Sequence, residues 1–139
     1  MQLCVAALWA WSLASPAELP PPAEAIAALE QAFRSGDGEA LASLAPPGGR
    51  VLVEMAAPRA VRGAFSRGQL AAVAQRLFSG VATTGVTLAP GDREPGAPQA
   101  FARGRWSWRR DGLESAVTLV VTLEWRSSAW RLVELRSAP

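Results

Sequence analysis

Apolar positions recur along this chain with two periods, and the change from one to the other marks out its elements. After a proline-rich lead from Glu18 to Pro22, Ile26, Leu29 and Phe33 return at helical spacing, with Ala25 and Ala32 beside them. Pro22 suits a first helical turn, where its missing N–H costs nothing. Gly36 predicts the stop, and Asp37 caps a second, short helix carrying Leu41 and Leu44. Pro46-Pro47-Gly48-Gly49 breaks that helix. Val51 to Met55 reads as a short strand, and Ala60 to Phe65 as another. Ser66 and Gln69 have the spacing of a capping box. They open a third helix that runs to about Ser79, with Leu70, Val73, Ala74, Leu77 and Phe78 as its apolar stripe and Gly80 just beyond it. The period then falls to two. Val81 to Leu88 is strand-like, Pro90 to Pro98 is an exposed loop, and Phe101–Arg109, Leu113–Trp125 and Ala129–Arg136 are strands joined by tight turns. No internal repeat and no second domain are visible.

The register of the last three strands follows from their turns. Asp111-Gly112 is a strong two-residue hairpin signal. Centring a turn there sets Arg109 opposite Glu114, Trp108 opposite Ser115 and Trp106 opposite Val117. Centring the next on Ser127-Ser128 sets Trp125 opposite Trp130, Glu124 opposite Arg131 and Leu123 opposite Leu132. Two opposite-charge pairs and an aromatic pair result, each worth a few tenths to ~1 kcal/mol. One face then carries Trp106, Trp108, Val117, Leu119, Val121, Leu123, Trp125, Trp130 and Leu132, and is expected to be buried. The other carries Phe101, Arg103, Arg105, Thr118, Val120, Thr122, Val133 and Leu135, which is more apolar than a solvated face usually is. In this register Glu134 shares the core face with Leu132 and lies across from Val121.

Composition narrows the chemistry. The chain has 139 residues, half of them hydrophobic and 19% charged, which is globular. There is no His, Lys, Tyr or Asn, all 14 basic residues are Arg, and Ile26 is the single Ile. A GC-rich genome accounts for that pattern, and for much of the pI near 9.9, since the net charge is only +2. Acids are interleaved with the arginines, so no basic patch of the nucleic-acid-binding kind is expected. Without His there is no imidazole base, Ser-His triad or His-ligated metal. Without Lys there is no Schiff base or P-loop lysine. No cofactor or metal is called for, and Asp, Glu, Ser, Thr and Arg remain for any catalysis.

The N-terminus reads as a targeting segment. Leu3 to Trp11, with Leu13, form an uncharged apolar run, shorter than the roughly 20 residues that span a bilayer. Ser12-Leu13-Ala14 and Ser15-Pro16-Ala17 follow at the spacing of a signal-peptide cleavage site. Only Met1 and Gln2 precede the run, so the usual basic start is missing, and a buried N-terminal helix is the competing reading. The expected organisation is a signal peptide-like segment at 1–17 and one domain at 18–139. Cleavage after Ala17 would remove Cys4, the only cysteine, and leave no stable membrane insertion.

Two helices, a short strand pair, a third helix and a long antiparallel meander, running from Ala25 to Arg136, resemble the nuclear transport factor 2-like superfamily. The local likenesses are the Phe33-Arg34-Ser35-Gly36-Asp37 step and the terminal Trp130-Arg131-Leu132 strand. The chain is most similar to small secreted bacterial domains of unknown function within that superfamily. The resemblance implies an α+β fold in which three helices pack in the concave face of a strongly curved, mainly antiparallel sheet, a cone-like α+β barrel. It implies a bacterial, exported protein, periplasmic or secreted. It also implies a cavity at the wide end and, in many members, dimerisation through the convex sheet face.

Asp37, Asp92 and Asp111 read as cap, loop and turn, so none is placed like a catalytic base. Glu134, on the core face, is the candidate polar anchor of a ligand pocket, unless strand curvature exposes it or an arginine such as Arg136 pairs with it. Glu54 is a second such carboxylate. Trp106 and Trp108 either fill the core or rim a cavity. Phe101, Arg103, Arg105, Val120, Val133 and Leu135 form a candidate dimer face, in which long Arg stems would cover apolar area. The expected function is an exported, non-catalytic binding or accessory domain with a small apolar ligand cavity. The alternatives are a homodimeric structural or interaction module, and a carboxylate-dependent isomerase- or dehydratase-like enzyme using Glu134 or Glu54.

Overall fold

The computed structural model describes residues 19–138, so the apolar run and its cleavage positions lie outside the described residues. The elements follow in the expected order: α1 (Ala23–Ser35), α2 (Gly38–Ala42), β1 (Arg50–Met55), β2 (Val61–Ser66), α3 (Arg67–Phe78), β3 (Ala82–Pro90), β4 (Gln99–Arg110), β5 (Leu113–Arg126) and β6 (Ala129–Ala138).

Their ends are set by the expected local chemistry. Gly36 takes the left-handed conformation (φ 64°), and its N–H and that of Asp37 return to carbonyls of the last turn of α1. The Asp37 carboxylate accepts from the Ala40 N–H at 3.1 Å and opens α2. At α3 the capping box is complete: the Ser66 hydroxyl accepts from the Gln69 N–H, and the Gln69 side chain accepts from the Ser66 N–H. Asp111 and Gly112 both have positive φ, as a tight hairpin turn requires. Ser127 and Ser128 do the same without a glycine. The flanking Trp125–Trp130 pair, with ring centroids 5.6 Å apart, holds that less favourable turn.

The strands form one open sheet in the order β2-β1-β6-β5-β4-β3. All neighbours are antiparallel except β1 and β6, which run parallel. The helices pack on its concave face, and the core lies between. Ile26, Leu29 and Phe33 of α1 and Leu70, Leu77 and Phe78 of α3 meet Val51, Val53, Trp106, Leu119, Val121, Leu123 and Leu132 of the sheet, all buried. At Gly104 the backbone of β3 comes so close that a Cβ would run into the Thr87 carbonyl.

The expected β4–β5 and β5–β6 pairings hold from the turns outward, including Arg109 with Glu114 and Trp125 with Trp130. Further along β6 the register slips. Leu132 pairs with Leu123, but Glu134 pairs with Thr122, leaving Val133 as an extra residue. A bulge of one residue reverses the alternation beyond it. Leu135 therefore turns inward opposite Val121, both fully buried, and Glu134 turns outward. This corrects the expected faces for both residues. A second bulge, at Thr84, bends β3.

Two substitutions test these local devices. Ser66→Ala is expected to lower stability by ~1 kcal/mol through loss of the α3 cap. Gly104→Ala should cost at least ~3 kcal/mol, the upper end for forced overpacking. Urea denaturation of the two variants checks the order.

Candidate functional site

The interior is organised around Trp106. Its ring meets Phe33 edge-on at 4.9 Å and Phe78 at 5.8 Å, while Phe33 and Phe78 meet each other at 5.3 Å. Trp108 leans on the same ring at 4.7 Å. Trp106 Nε1 donates to Thr83 Oγ1 at 2.9 Å, and that hydroxyl donates to the Phe33 carbonyl at 2.8 Å. Both indoles are buried in the core between the sheet and the helices. An aromatic side chain with a polar tip is suited to this, since its N–H has found a partner.

The singled-out carboxylates are outside. The outer sheet face is built in two rows that cross neighbouring strands. One runs Ala89, Arg103, Val120, Arg136, Glu54, Arg62, and the other runs Phe101, Thr122, Glu134, Leu52, Ala64. Glu134 Oε1 lies 2.6 Å from Arg136 Nε, with both side chains partly exposed. Glu54 is exposed one strand away, and Arg62 is its partner across β1 and β2. These four charged groups, with Leu52, line an open groove of about 260 Å³. Two acids and two arginines at the surface balance one another and remain hydrated. Glu134 is thus no anchor of an interior pocket: the bulge puts it on the convex face, and Arg136 pairs with it there.

Five of the six residues read as a dimer face lie on this surface. Phe101, Arg103 and Arg105 are exposed, and Val120 and Val133 are half-buried. Leu135 does not belong to it, because it is fully buried. Leu52, which strand periodicity alone did not single out, does belong, and at 56% exposure it is among the most open large apolar residues in the chain. It alternates with buried Val51 and Val53, but all three are apolar, so these three by themselves carry no signal for which of them faces out.

At the other end of the molecule, Pro20, Pro21, Leu44, Trp125 and Trp130 line an open, mostly apolar groove of about 710 Å³. Trp130 Nε1 donates to the Pro20 carbonyl at 2.7 Å, which ties the lead to β6, and the Arg93 guanidinium sits 5.2 Å above the Trp130 ring. Among the described residues, no three His, Cys, Asp or Glu side chains come together to hold a metal ion, and no helix is long and apolar enough to cross a membrane.

No protein-family model matches the chain, and no curated protein matches it in sequence. Its backbone is nonetheless similar to many solved structures. A DUF4783 family protein from Bacteroides ovatus is 14% identical with a TM-score of 0.64, over 86% of this chain and 94% of that one. A nuclear transport factor 2-like protein of unknown function from Shewanella oneidensis is also 14% identical, with a TM-score of 0.61, over 86% of this chain and all of that one. A hypothetical protein with a ketosteroid isomerase-like fold from Catenulispora acidiphila, solved in complex with trimethylamine, is 14% identical with a TM-score of 0.59, over 84% of this chain and 85% of that one. At these identities the likeness is one of fold, and the fold is the nuclear transport factor 2-like cone.

The two environments predict opposite sensitivities. Trp106→Ala should cost ~3–5 kcal/mol in thermal or urea unfolding, as for a large buried aromatic. Glu134→Gln should change stability by less than ~1 kcal/mol, as for a surface ion pair. A large effect of Glu134→Gln would contradict its placement on the outer face.

Proposed function

We propose that this cone-fold domain is an exported, non-catalytic accessory protein that acts by contact through the convex face of its sheet, first of all with a second copy of itself. The observation that carries this reading is the distribution of side chains between the two faces. The core between sheet and helices is built around buried Trp106, and the convex side carries Phe101 at 47% exposure and Leu52 at 56% in one row, bordered by half-buried Val120 and Val133.

The chemistry of that face suits association. An isologous dimer needs a patch that complements itself. Glu54, Arg62, Glu134 and Arg136 supply both signs on adjacent strands, and the stems of Arg103 and Arg105 extend the apolar area. Six strands span about 24 Å across and, at 6 to 14 residues each, run about 20 to 47 Å along, so the face has a footprint of roughly 800 Å², near what each partner contributes to a stable interface. A non-catalytic reading is supported by the hydrated, ion-paired setting of Glu134 and the open setting of Glu54. Export is supported by the apolar run at Leu3–Leu13 and the small residues after it.

Sedimentation of the protein at tens of micromolar tests the association. A dimer is expected, and Phe101→Glu should shift it to monomer without lowering the unfolding midpoint appreciably. A monomer throughout would end the self-association reading. Export is checked by expressing the full chain in a bacterial host and weighing the product, with a mass corresponding to cleavage after Ala17 or Ala14 expected in the exported fraction.

A further inference from the structure

Between β2 and α3 lies a pocket of about 240 Å³ whose lining contains no acidic residue. Its apolar wall is Val61, Phe65 and Val73, each half-buried, and its rim is Arg59, Arg62 and Arg76. Among the described residues, none of these three guanidiniums lies within ion-pair distance of a carboxylate. Arg62 is set opposite Glu54 across β1 and β2, which leaves Arg59 and Arg76 as the two arginines of the lining without a facing acid. Two such like charges at one small pocket repel one another unless an anion joins them.

The rim is held in place. Arg59 Nη2 donates to the Ser79 carbonyl just past the end of α3 at 3.2 Å, and Arg110 Nη1 donates to the Pro58 carbonyl at 2.9 Å. The Ser137 hydroxyl accepts from the Ala56 N–H at 2.8 Å. The loop that carries Arg59 is thereby tied to α3, β4 and β6. Arg59 uses one of five N–H donors in doing so and keeps the rest. A guanidinium fork matches a carboxylate with two parallel hydrogen bonds. The half-buried apolar wall favours a ligand that also carries a compact apolar body. A bare anion would leave that wall wet, and a neutral ligand would leave the guanidiniums without a counter-charge.

We propose that this pocket binds a small carboxylic acid with an aromatic or branched aliphatic body. The carboxylate sits between Arg59 and Arg76, and the body rests on Val61, Phe65 and Val73. The site lies apart from the Trp106 cluster, and Arg59 and Arg76 are not among the residues of the convex face, so it does not depend on that face acting as an interface.

Titration of the purified protein with benzoate, acetate and benzyl alcohol, followed by NMR, tests the assignment. Saturable benzoate binding is expected, with shifts centred on Val61, Phe65 and Val73. Acetate and benzyl alcohol should each bind at least tenfold more weakly. Arg76→Gln should weaken benzoate at least fivefold while leaving the unfolding midpoint unchanged, and Arg59→Gln should do likewise. The proposal is overturned if benzoate does not saturate, if acetate binds as well as benzoate, or if neither arginine substitution alters benzoate affinity.

Discussion

The contact of Trp106 with Phe33 and Phe78 is the interaction on which the rest of this structure rests. It joins the last turn of α1, the end of α3 and the middle of β4 in one edge-to-face cluster. The same indole is fixed through Thr83 to the Phe33 carbonyl, which lies among the last carbonyls of α1 and so lacks a full helical partner. Hydrophobic burial and a hydrogen-bonded relay therefore act on the same three elements. A cone with such a centre has its helices fixed against its sheet.

That constraint decides where chemistry can occur. A carboxylate inside this cluster would have to displace aromatic area and find its own partners, at a cost of several kcal/mol. The described acids instead lie along helices, at caps, in loops and turns, and at outer strand positions. The surface is then differentiated by how charges are grouped. On the convex face, acids and arginines alternate between β1, β2 and β6 and compensate one another. Between β2 and α3, Arg59 and Arg76 stand without a facing acid. The low net charge of +2 hides this difference, because the sum over the chain is blind to local grouping.

Much of the fold was legible because its boundaries are set by short-range chemistry. Gly36, Asp37, Ser66 with Gln69, and Asp111-Gly112 each act within a few residues, and each does in the structure what its type and position require. The cross-strand pairs nearest the turns follow from the turns themselves. The faces beyond Leu132 did not follow, because strict alternation assumes that no residue is inserted. The sign of the insertion was nevertheless present. A glutamate assigned to the core and a leucine assigned to the surface, side by side at Glu134 and Leu135, are both put right by one extra residue at Val133. The clustering of Arg59, Arg62 and Arg76 could not be seen in the same way, since it depends on where the β1–β2 loop lies against α3.

The bulge also explains how β1 and β2 join the sheet. β1 pairs with β6 through Leu52 with Glu134, Val53 with Leu135 and Glu54 with Arg136, all just beyond Val133. Laterally paired residues point to the same side of a sheet. Buried Val53 therefore needs a buried neighbour, and only the shifted alternation supplies one in Leu135. Had β6 continued without the extra residue, Val53 would have been set beside an outward-facing position, and the apolar side of the β1–β2 hairpin would have turned from the helices. The same shift brings Glu134 and Arg136 into line with Leu52 and Glu54 on the outside. One inserted residue thus completes the core on one side and assembles the charged groove of the convex face on the other.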